Sequence, residues 1–368
     1  MNHFERLHIA MKSGQPDRVP VMCQLSHGHM ERNAGVKPFE MYFSAQGAAQ
    51  AFLNIRREYD FEGIHLNMAF DINWKDFFES TKIEVISNGE RYILPDGRIY
   101  EQQGASFIQT RFIDVTYPDI DTLDLSEVEY QLDYTHMMAL HKILVEEGRK
   151  EKISIHGEVG SPFDYLCFFL GIENAMSALI LNPDRCHELL GNYSLQAFAL
   201  SKAQIDIGID TMKISSPFAG GSYISKNHYE KFVVPYEKRL VSLIREYSPD
   251  TPVYTHTCGF INDRLELMAS SGIDGIECMD PPPLGNTLLA DAKRRVGGEL
   301  FLKGNMDSVN VLRTASKDMI TEYVKKMIED GAKGGGYILS TACSVAPEVK
   351  PEILRLLVPL AEKYGRYE

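Results

Sequence analysis

Residues 252–279 read PVYTHTCGFINDRLELMASSGIDGIECM and contain one strand–helix–strand unit. The run Pro252–His256 predicts a buried strand, Asn262–Ser271 predicts a helix, and Gly275–Met279 predicts a second strand. Strands that alternate with helices in this way favour a parallel sheet with the helices packed outside it. This unit therefore sets the expected class of the fold, which is α/β.

The same alternation continues on both sides of this unit. Together with two short extended runs near the N-terminus it gives eight predicted strands, the number found in a (β/α)8 TIM barrel. A doubly wound open sheet remains the structural alternative, because periodicity does not separate the two folds. No GxGxxG follows a first strand and no GxxxxGK[ST] occurs, so no phosphate-binding loop is predicted. The predicted strands are Val19–Gln24, Gly63–Met68, Ile153–Gly157, Thr211–Ser215, Pro252–His256, Gly275–Met279, Leu300–Lys303 and Gly336–Ser340. The predicted helices are residues 3–13, Ala45–Tyr59, His136–Gly148, a long helix opened by Asn182 and Pro183, Lys226–Glu246, Asn262–Ser271, Ser316–Asp330 and Pro351–Tyr364.

The segment Lys82–Val115 differs in kind, because it alternates apolar and polar residues. It is interrupted by Asn88-Gly89 and Asp96-Gly97, which are strong signals for hairpin turns. We therefore predict an antiparallel β insertion at residues 82–115, within one barrel domain that covers residues 1–368.

The composition argues against several classes of protein. With 38 basic and 51 acidic residues the formal net charge is −13, which disfavours nucleic acid and anionic membranes as partners. The sequence has no run of eighteen apolar residues, so no transmembrane helix is predicted. The N-terminus lacks the apolar stretch of a signal peptide. We therefore expect a cytoplasmic location, where the six cysteines would be thiols, metal ligands or core residues rather than disulfides.

The sharpest local signal is Thr255-His256-Thr257-Cys258-Gly259. Side chains alternate along a strand, so His256 and Cys258 can project the same way at a strand end, which in a barrel is the catalytic rim. Cys343 also follows a predicted strand, the last one, and can reach the same rim. Two thiolates and an imidazole suit zinc, and three protein ligands leave a position for substrate. The alternative is a hydrogen-bonded rim histidine with two cysteines in the core.

From about residue 3 onward the chain resembles the uroporphyrinogen decarboxylase superfamily, and within it the zinc-dependent methyltransferase branch. The entry to the first strand, Pro16-Asp17-Arg18-Val19-Pro20, is similar to that of the superfamily. His256-Thr257-Cys258-Gly259 matches an HxCG motif and Gly304-Asn305-Met306-Asp307 a GNxD motif. Gly335–Ser340, followed by Cys343, is similar to the final-strand motif whose cysteine is the third zinc ligand.

This resemblance implies a zinc-dependent methyltransferase of one-carbon metabolism, linked to a corrinoid (cobalamin) cofactor. The methyl group would move between a small substrate and cobalt, with either a thiol acceptor such as coenzyme M or a methoxy- or methylamine-type donor. The corrinoid would sit on a partner protein, because the chain has no DxHxxG signature. The superfamily also implies a homodimer. By the same analogy, Glu277 or Asp280 could supply a fourth ligand that leaves when substrate binds.

The chain departs from the decarboxylases of the superfamily. Their RQAGRY stretch, which grips substrate carboxylates, is replaced by residues 23–30, CQLSHGHM, and no arginine occurs there before Arg32. Relatives often carry an aspartate where this chain reads Ile214-Ser215-Ser216-Pro217. A decarboxylase is therefore disfavoured.

Further candidates stand near other strand ends. His156, Glu158 and Asp164 are expected to contact substrate or corrinoid, or to serve structure alone. His27 and His29 are expected to share a face after the first strand and to line the pocket. Tyr337 is a candidate hydrogen-bond donor near the site, and Cys278 is expected to pack in the core because it alternates away from Glu277.

Two rival functions remain at this level. One is a cofactor-free lyase of the decarboxylase type, whose activity a chelator would not reduce. The other is a corrinoid-binding escort protein with a structural zinc, which would have a fourth protein ligand and no turnover.

Overall fold

The computed structural model describes residues 1–67, 78–104 and 106–367. Within them, strands occur in a parallel and an antiparallel set. In chain order they are β1 (Gly63–His65), β2 (Lys82–Ile86), β3 (Gly89–Ile93), β4 (Ile99–Gln103), β5 (Ser106–Arg111), β6 (Ser154–Gly160), β7 (Thr211–Ser215), β8 (Val253–Thr257), β9 (Gly275–Cys278), β10 (Phe301–Met306) and β11 (Tyr337–Thr341).

The parallel sheet has the order β1–β6–β7–β8–β9–β10–β11. Its two edges meet through the extended segment at residues 20–22. The amide of Glu62 donates to Val21 O at 3.1 Å on one side, and the amide of Met22 donates to Leu339 O at 3.0 Å on the other. This segment takes the eighth place, so the barrel is closed as expected. The run predicted at Val19–Gln24 makes only isolated bridges, and the predicted end of the next strand at Met68 lies outside the described residues.

The helices surround the parallel strands, and most of their predicted positions are confirmed within a few residues. Lys226–Glu246 is not one helix, because Pro235 forces a new start at Val234. The predicted helix Pro351–Tyr364 is also two helices, since the chain turns at residues 355–356. Asn182 holds the expected N-cap position, but its side chain makes no capping hydrogen bond. The helices are His3–Met11, His27–Asn33, Pro38–Phe43, Ala45–Tyr59, Ala139–Glu151, Pro162–Leu170, Ile172–Leu181, Pro183–Asp206, Lys226–Phe232, Val234–Tyr247, Leu265–Ser270, Leu289–Val296, Lys317–Gly331, Pro351–Leu354 and Leu357–Tyr364.

The insertion is antiparallel, as predicted, with the strand order β2–β3–β4–β5. One face of this sheet packs Tyr92, Tyr100 and Phe107 against Phe39 and Phe43 of the short helix Pro38–Phe43. The alternation read from the sequence is therefore the alternation of a sheet with one covered face.

The barrel interior is layered from its floor to its rim. Tyr254, Phe301 and Ile338 form an apolar floor with Leu7 and Met11 of the first helix. Because side chains repeat every two residues along a strand, the next inward positions lie one layer higher. That layer is polar, and its strand residues are His156, Lys213, His256, Glu277, Lys303 and Ser340.

In the described part of the chain, no single helix is long and apolar enough to cross a membrane. Helices Pro162–Leu170 and Ile172–Leu181 meet the length and composition criteria only as a pair, which is bent by 108°.

Candidate metal centre

Three of the predicted ligands meet at the carboxyl ends of β8 and β11. Nε2 of His256 lies 3.2 Å from Sγ of Cys258 and 3.9 Å from Sγ of Cys343, and the two sulfurs are 3.8 Å apart. His256 is 3% exposed, whereas both cysteines are half-buried and face the barrel mouth. The three donor atoms thus form a small triangle that is reached from the mouth.

This triangle has the dimensions of a zinc site. Zinc lies about 2.3 Å from cysteine sulfur and about 2.0–2.1 Å from histidine nitrogen. At tetrahedral angles these lengths put two sulfurs about 3.8 Å apart and a nitrogen–sulfur pair about 3.6 Å apart. The set of two thiols and one imidazole therefore fits the metal in both chemistry and size.

The thiols and the imidazole of the cluster shift each other's pKa values. Hydrogen bonds from the thiols of Cys258 and Cys278 lower the pKa of Cys343. Burial and Lys213 lower the pKa of His256, but the sulfurs of Cys258 and Cys343 outweigh them and its pKa lies above the ordinary value. Without a metal, the cluster therefore holds a thiolate beside an imidazolium. A bound metal would replace that proton, because metal ligation needs the deprotonated forms.

Glu277 fixes the orientation of His256 from the side of the ring that faces away from the sulfurs. Its carboxylate lies 2.9 Å from Nδ1 of His256, so this nitrogen donates and Nε2 is left to face the sulfurs. Burial raises the pKa of Glu277, but Lys303 and Lys213 outweigh burial and hold it well below the usual range. Glu277 is thus an ionised support for the imidazole, the arrangement commonly found behind metal-bound histidines.

Two buried lysines compensate the charge beneath the site. Lys303 donates to Glu277 and, at 3.4 Å, to the hydroxyl of Ser340. Lys213 lies 3.5 Å from Glu277 and 3.0 Å from Glu158, and it donates to Gln24 at 2.9 Å. The two lysines are therefore matched by two carboxylates, Glu277 in the same layer and Glu158 above it, which satisfies the requirement that buried charges be paired.

Cys278 lies at the metal cluster, contrary to the expectation that it packs in the core. Strand alternation would turn it away from Glu277, but the alternation breaks here because Cys278 and Met279 have φ of 82° and 56°. Its sulfur, the sulfur of Cys258 and a ring nitrogen of His256 all lie within 4.8 Å of one another. A fourth donor is therefore present.

Asp280 lies beside the cluster and is engaged with the backbone. Its carboxylate accepts a hydrogen bond of 2.7 Å from the amide of Gly259, the residue that follows Cys258. Burial raises its pKa. Asp280 thus fixes the loop that carries Cys258.

The two early histidines do not share a face. The segment after the first strand is the helix His27–Asn33, and positions two apart on a helix point in different directions. His27 is half-buried and close enough to Glu158 for the carboxylate to influence its pKa, which burial lowers. His29 is fully buried and bonds Tyr59 at 2.7 Å, facing another helix. Of the pair, only His27 approaches the barrel mouth.

The candidates on and after β6 lie in different places. His156 is deep in the barrel, with Nδ1 3.1 Å from the hydroxyl of Tyr254. Glu158, one layer higher, lies 2.8 Å from Nε2 of His65, and its side chain is 25% exposed. Asp164 is 2% exposed and lies outside the barrel, where it lines a cavity of about 430 Å³ next to β6. Glu158 is therefore the best placed of the three to meet a ligand at the mouth.

Tyr337 is placed away from the cluster. It begins β11, and its hydroxyl donates to Gly304 O at 2.7 Å. Its ring packs close to Gly331 of the outer helix Lys317–Gly331, because positions 337 and 339 face outward while 338 and 340 face inward. The structure gives Tyr337 a packing role.

Three residues at the site were not singled out from the sequence: Lys213, Lys303 and His65. The two lysines interrupt runs that otherwise read as buried strands, TMKIS at 211–215 and LFLKG at 300–304. Lysine is almost never fully buried unless paired, so this placement was itself a signal of an ionic layer.

Comparison with known proteins agrees with this architecture. The family model described as uroporphyrinogen decarboxylase (URO-D) matches residues 99–364. The uroporphyrinogen decarboxylase of Ruthia magnifica subsp. Calyptogena magnifica is 26% identical over 231 residues, which cover 61% of this chain and 64% of that protein. That of Chloroherpeton thalassium is 28% identical over 257 residues, which cover 68% and 70%. The chain thus matches just under two thirds of the length of the first of these relatives.

Among solved structures, a methyltransferase from Methanosarcina mazei has a similar fold. Its TM-score is 0.75 with 18% sequence identity, and 99% of both chains is covered. At this identity the likeness establishes the fold and leaves the chemistry to be argued from the site.

Proposed function

The chain belongs to the uroporphyrinogen decarboxylase family, and from that premise we propose that it is a zinc-dependent methyltransferase that works with a corrinoid on a partner protein. The observation that carries the proposal is the triangle of His256, Cys258 and Cys343, whose edges of 3.2, 3.8 and 3.9 Å match a tetrahedral zinc site. The methyltransferase from Methanosarcina mazei supports it through the shared fold.

His256, Cys258 and Cys343 would hold the metal, and bound zinc would act as a Lewis acid toward a thiol or a methyl donor. The chain's own residues position these ligands. Glu277 keeps Nε2 of His256 turned toward the sulfurs, and Asp280 fixes the loop after Cys258. Glu158 and His27 stand where a substrate entering the mouth would pass.

Two directions of transfer remain open. A thiol acceptor would lose its proton, take the methyl group from methyl-cobalt(III) and leave cobalt(I). In the other direction, cobalt(I) would take the methyl group from a methoxy- or methylamine-type donor, which leaves as the alcohol or amine after gaining a proton. The arrangement of residues serves both.

A decarboxylase is a weaker candidate, although the curated relatives carry that name. A substrate with several carboxylates needs free cations in the pocket. The two lysines in the barrel interior are already paired with Glu158 and Glu277. Arg32, the first arginine after residue 23, is half-exposed and lies 3.7 Å from Glu348.

Exposed apolar side chains around the mouth support a protein partner. Large apolar residues that follow the carboxyl ends of β6, β7, β8 and β9 are 40–63% exposed, although they lie beside a polar interior. Exposed apolar patches rimmed by polar residues are typical of interaction sites. These residues are Phe168, Tyr223, Phe260, Leu284 and Leu288. A corrinoid protein docked there would bring cobalt to the metal.

The first experiment measures zinc per chain by mass spectrometry in the native protein and in Cys258→Ala and Cys343→Ala. Cys186→Ala is the matched control, since Cys186 is a fully buried cysteine in the outer helix Pro183–Asp206. We expect about one zinc in the native and control proteins and a large loss in both site variants. A native protein that binds no zinc after exposure to it would refute the proposal.

The second experiment tests the reaction itself. Methylcobalamin is incubated with a small thiol and the zinc-loaded protein, and its loss is followed by absorbance. The opposite direction is tested by incubating cob(I)alamin with a methoxylated compound or a methylamine and following the formation of methylcobalamin. Turnover that is lost in Cys258→Ala and kept in Cys186→Ala supports the methyltransferase.

The presence of Cys278 favours one second candidate, a corrinoid-binding escort protein with a structural zinc. Three cysteines and one histidine are a common structural set. That candidate predicts bound zinc without turnover in either direction. The half-exposure of Cys258 and Cys343 argues against it, because it leaves the centre reachable from the mouth.

A cytoplasmic location, a single domain and a homodimer stay predictions.

A further inference from the structure

We infer that Cys278 is the fourth protein ligand of the metal ion, so that the resting centre is held by three sulfurs and one nitrogen. The inference rests on the proposed zinc site and deepens it: the centre is closed at rest, and a substrate takes the place of Cys278 to reach the metal. It differs from the expectation that a carboxylate, Glu277 or Asp280, takes the fourth place.

The position of the sulfur is the first argument. Cys278, Cys258 and His256 offer donor atoms that all lie within 4.8 Å of one another. Cys278 also interacts with the thiols of both Cys258 and Cys343. It ends β9, which lies beside β8 in the sheet, with Cys278 opposite Thr257. The fourth sulfur therefore comes from the strand adjacent to the HxC segment.

The backbone is the second argument. Cys278 and Met279 both have a left-handed φ, at 82° and 56°. For residues other than glycine this conformation costs on the order of 1–3 kcal/mol each, and such strain concentrates at functional sites. Here it turns the Cys278 side chain from its expected face toward the cluster. Ordinary core packing of a cysteine would not need this turn.

The third argument is that residues of the neighbouring strand hold this turn in place. The side-chain amide of Asn305 donates to Met279 O at 2.8 Å and to Thr287 O at 3.2 Å. Gly304 approaches so closely that an added Cβ would stand 2.7 Å from Cys278 O. Gly304 and Asn305 open the GNxD segment. That segment therefore holds the left-handed turn that aims Cys278.

Both carboxylates already have partners within the protein. Glu277 bonds the far nitrogen of His256 and Lys303, so it faces away from the sulfurs. Asp280 accepts the amide of Gly259. The thiol of Cys278 lies against the sulfurs of Cys258 and Cys343 and against the carboxylate of Asp280, so it is the donor of β9 that faces the cluster.

The test is zinc K-edge X-ray absorption on the full-length, zinc-loaded protein, which counts sulfur neighbours without any assay of activity. The variants are Cys278→Ala and Cys278→Ser, with Cys186→Ala as the matched control. We expect three sulfurs in the native and control proteins and two in both Cys278 variants. Competition with a chromophoric chelator should show zinc affinity reduced at least 10-fold in the variants, since even indirect supports of a metal are worth 10–100-fold.

The outcomes separate the inference from the proposed function. Two sulfurs in the native protein, or the same count after Cys278→Ala, would overturn the inference and leave the zinc site intact. Absence of zinc from the native protein would remove both. Three sulfurs without methyl transfer would support the inference and refute the methyltransferase. If Cys278→Ala does not fold, the sulfur count of the native protein and of Cys278→Ser decides.

Discussion

The carboxylate of Glu277 lies 2.9 Å from Nδ1 of His256, on the side of the ring opposite Cys258. An ionised carboxylate only accepts hydrogen bonds, so this contact fixes the proton on Nδ1 and leaves the lone pair of Nε2 for a metal. The pair links the ionic layer of the barrel to the metal ligands.

Replacing Glu277 should therefore weaken the metal site without removing a ligand. We expect Glu277→Gln to lower zinc affinity by roughly 10–100-fold, the usual cost of losing a support of this kind. Competition with a chromophoric chelator measures the change. Glu237→Gln is the control, because Glu237 is equally buried but bonds Ser216. Equal affinities in the two variants would contradict the role of Glu277.

Lys303 should stabilise the fold through Glu277. Both side chains are buried, and removing one partner of such a pair leaves an uncompensated charge. We expect Lys303→Met to lower the free energy of unfolding by about 3 kcal/mol, since Lys213 still lies 3.5 Å from Glu277. Urea unfolding of the metal-free protein measures it. Lys202→Met removes a surface pair with Asp206 and should change the free energy of unfolding far less.

Glu237 should make stability depend on pH. Burial raises the pKa of Glu237 to about 7, whereas an unfolded glutamate has a pKa of about 4.3. Between these values the folded protein binds the extra proton, so stability falls as the pH rises through this window and then levels off. Glu237→Gln stays neutral and should be more stable than the native protein well above pH 7, by at most about 4 kcal/mol.

Unfolding in urea at pH 5 and pH 8 tests this expectation. The difference between the two pH values should shrink in Glu237→Gln and persist in Glu230→Gln, which changes an exposed glutamate. A variant that keeps the native pH dependence would show that Glu237 is not the group responsible.

Tyr337→Phe distinguishes a structural role of the Tyr337 hydroxyl from a catalytic one. Its hydroxyl bonds Gly304 O on the outer side of β11, so losing it should cost about 1 kcal/mol of stability. Zinc content and methyl transfer should match the native protein. A loss of turnover with unchanged zinc would instead return Tyr337 to the list of catalytic candidates.

Much of this architecture could be predicted because its cause is local. The period of apolar residues predicted the positions of the seven strands of the parallel sheet, and Asn88-Gly89 and Asp96-Gly97 predicted the hairpins of the insertion. The HxC spacing placed His256 and Cys258 on the same side at the end of one strand. These features depend on neighbours within a few residues, where strand geometry alone sets the direction of a side chain.

Other features depended on contacts between distant segments. Alternation predicted that Cys278 faces the core, but Gly304 and Asn305, on the next strand, hold a left-handed turn that reverses it. His27 and His29 diverge because their segment folds as a helix against other helices. Tyr337 faces outward because of the register of β11 in the closed sheet.

The sequence by itself determined the α/β class, the strand positions, the antiparallel insertion and three of the metal-binding candidates. Only the tertiary structure decided which side chains stand together beneath them. Barrel closure brings Lys213, Lys303, Glu158 and Glu277 together inside the barrel, and buried charges persist only where opposite charges from other strands meet them. That pairing is a property of the closed barrel, since no single stretch of the chain contains it.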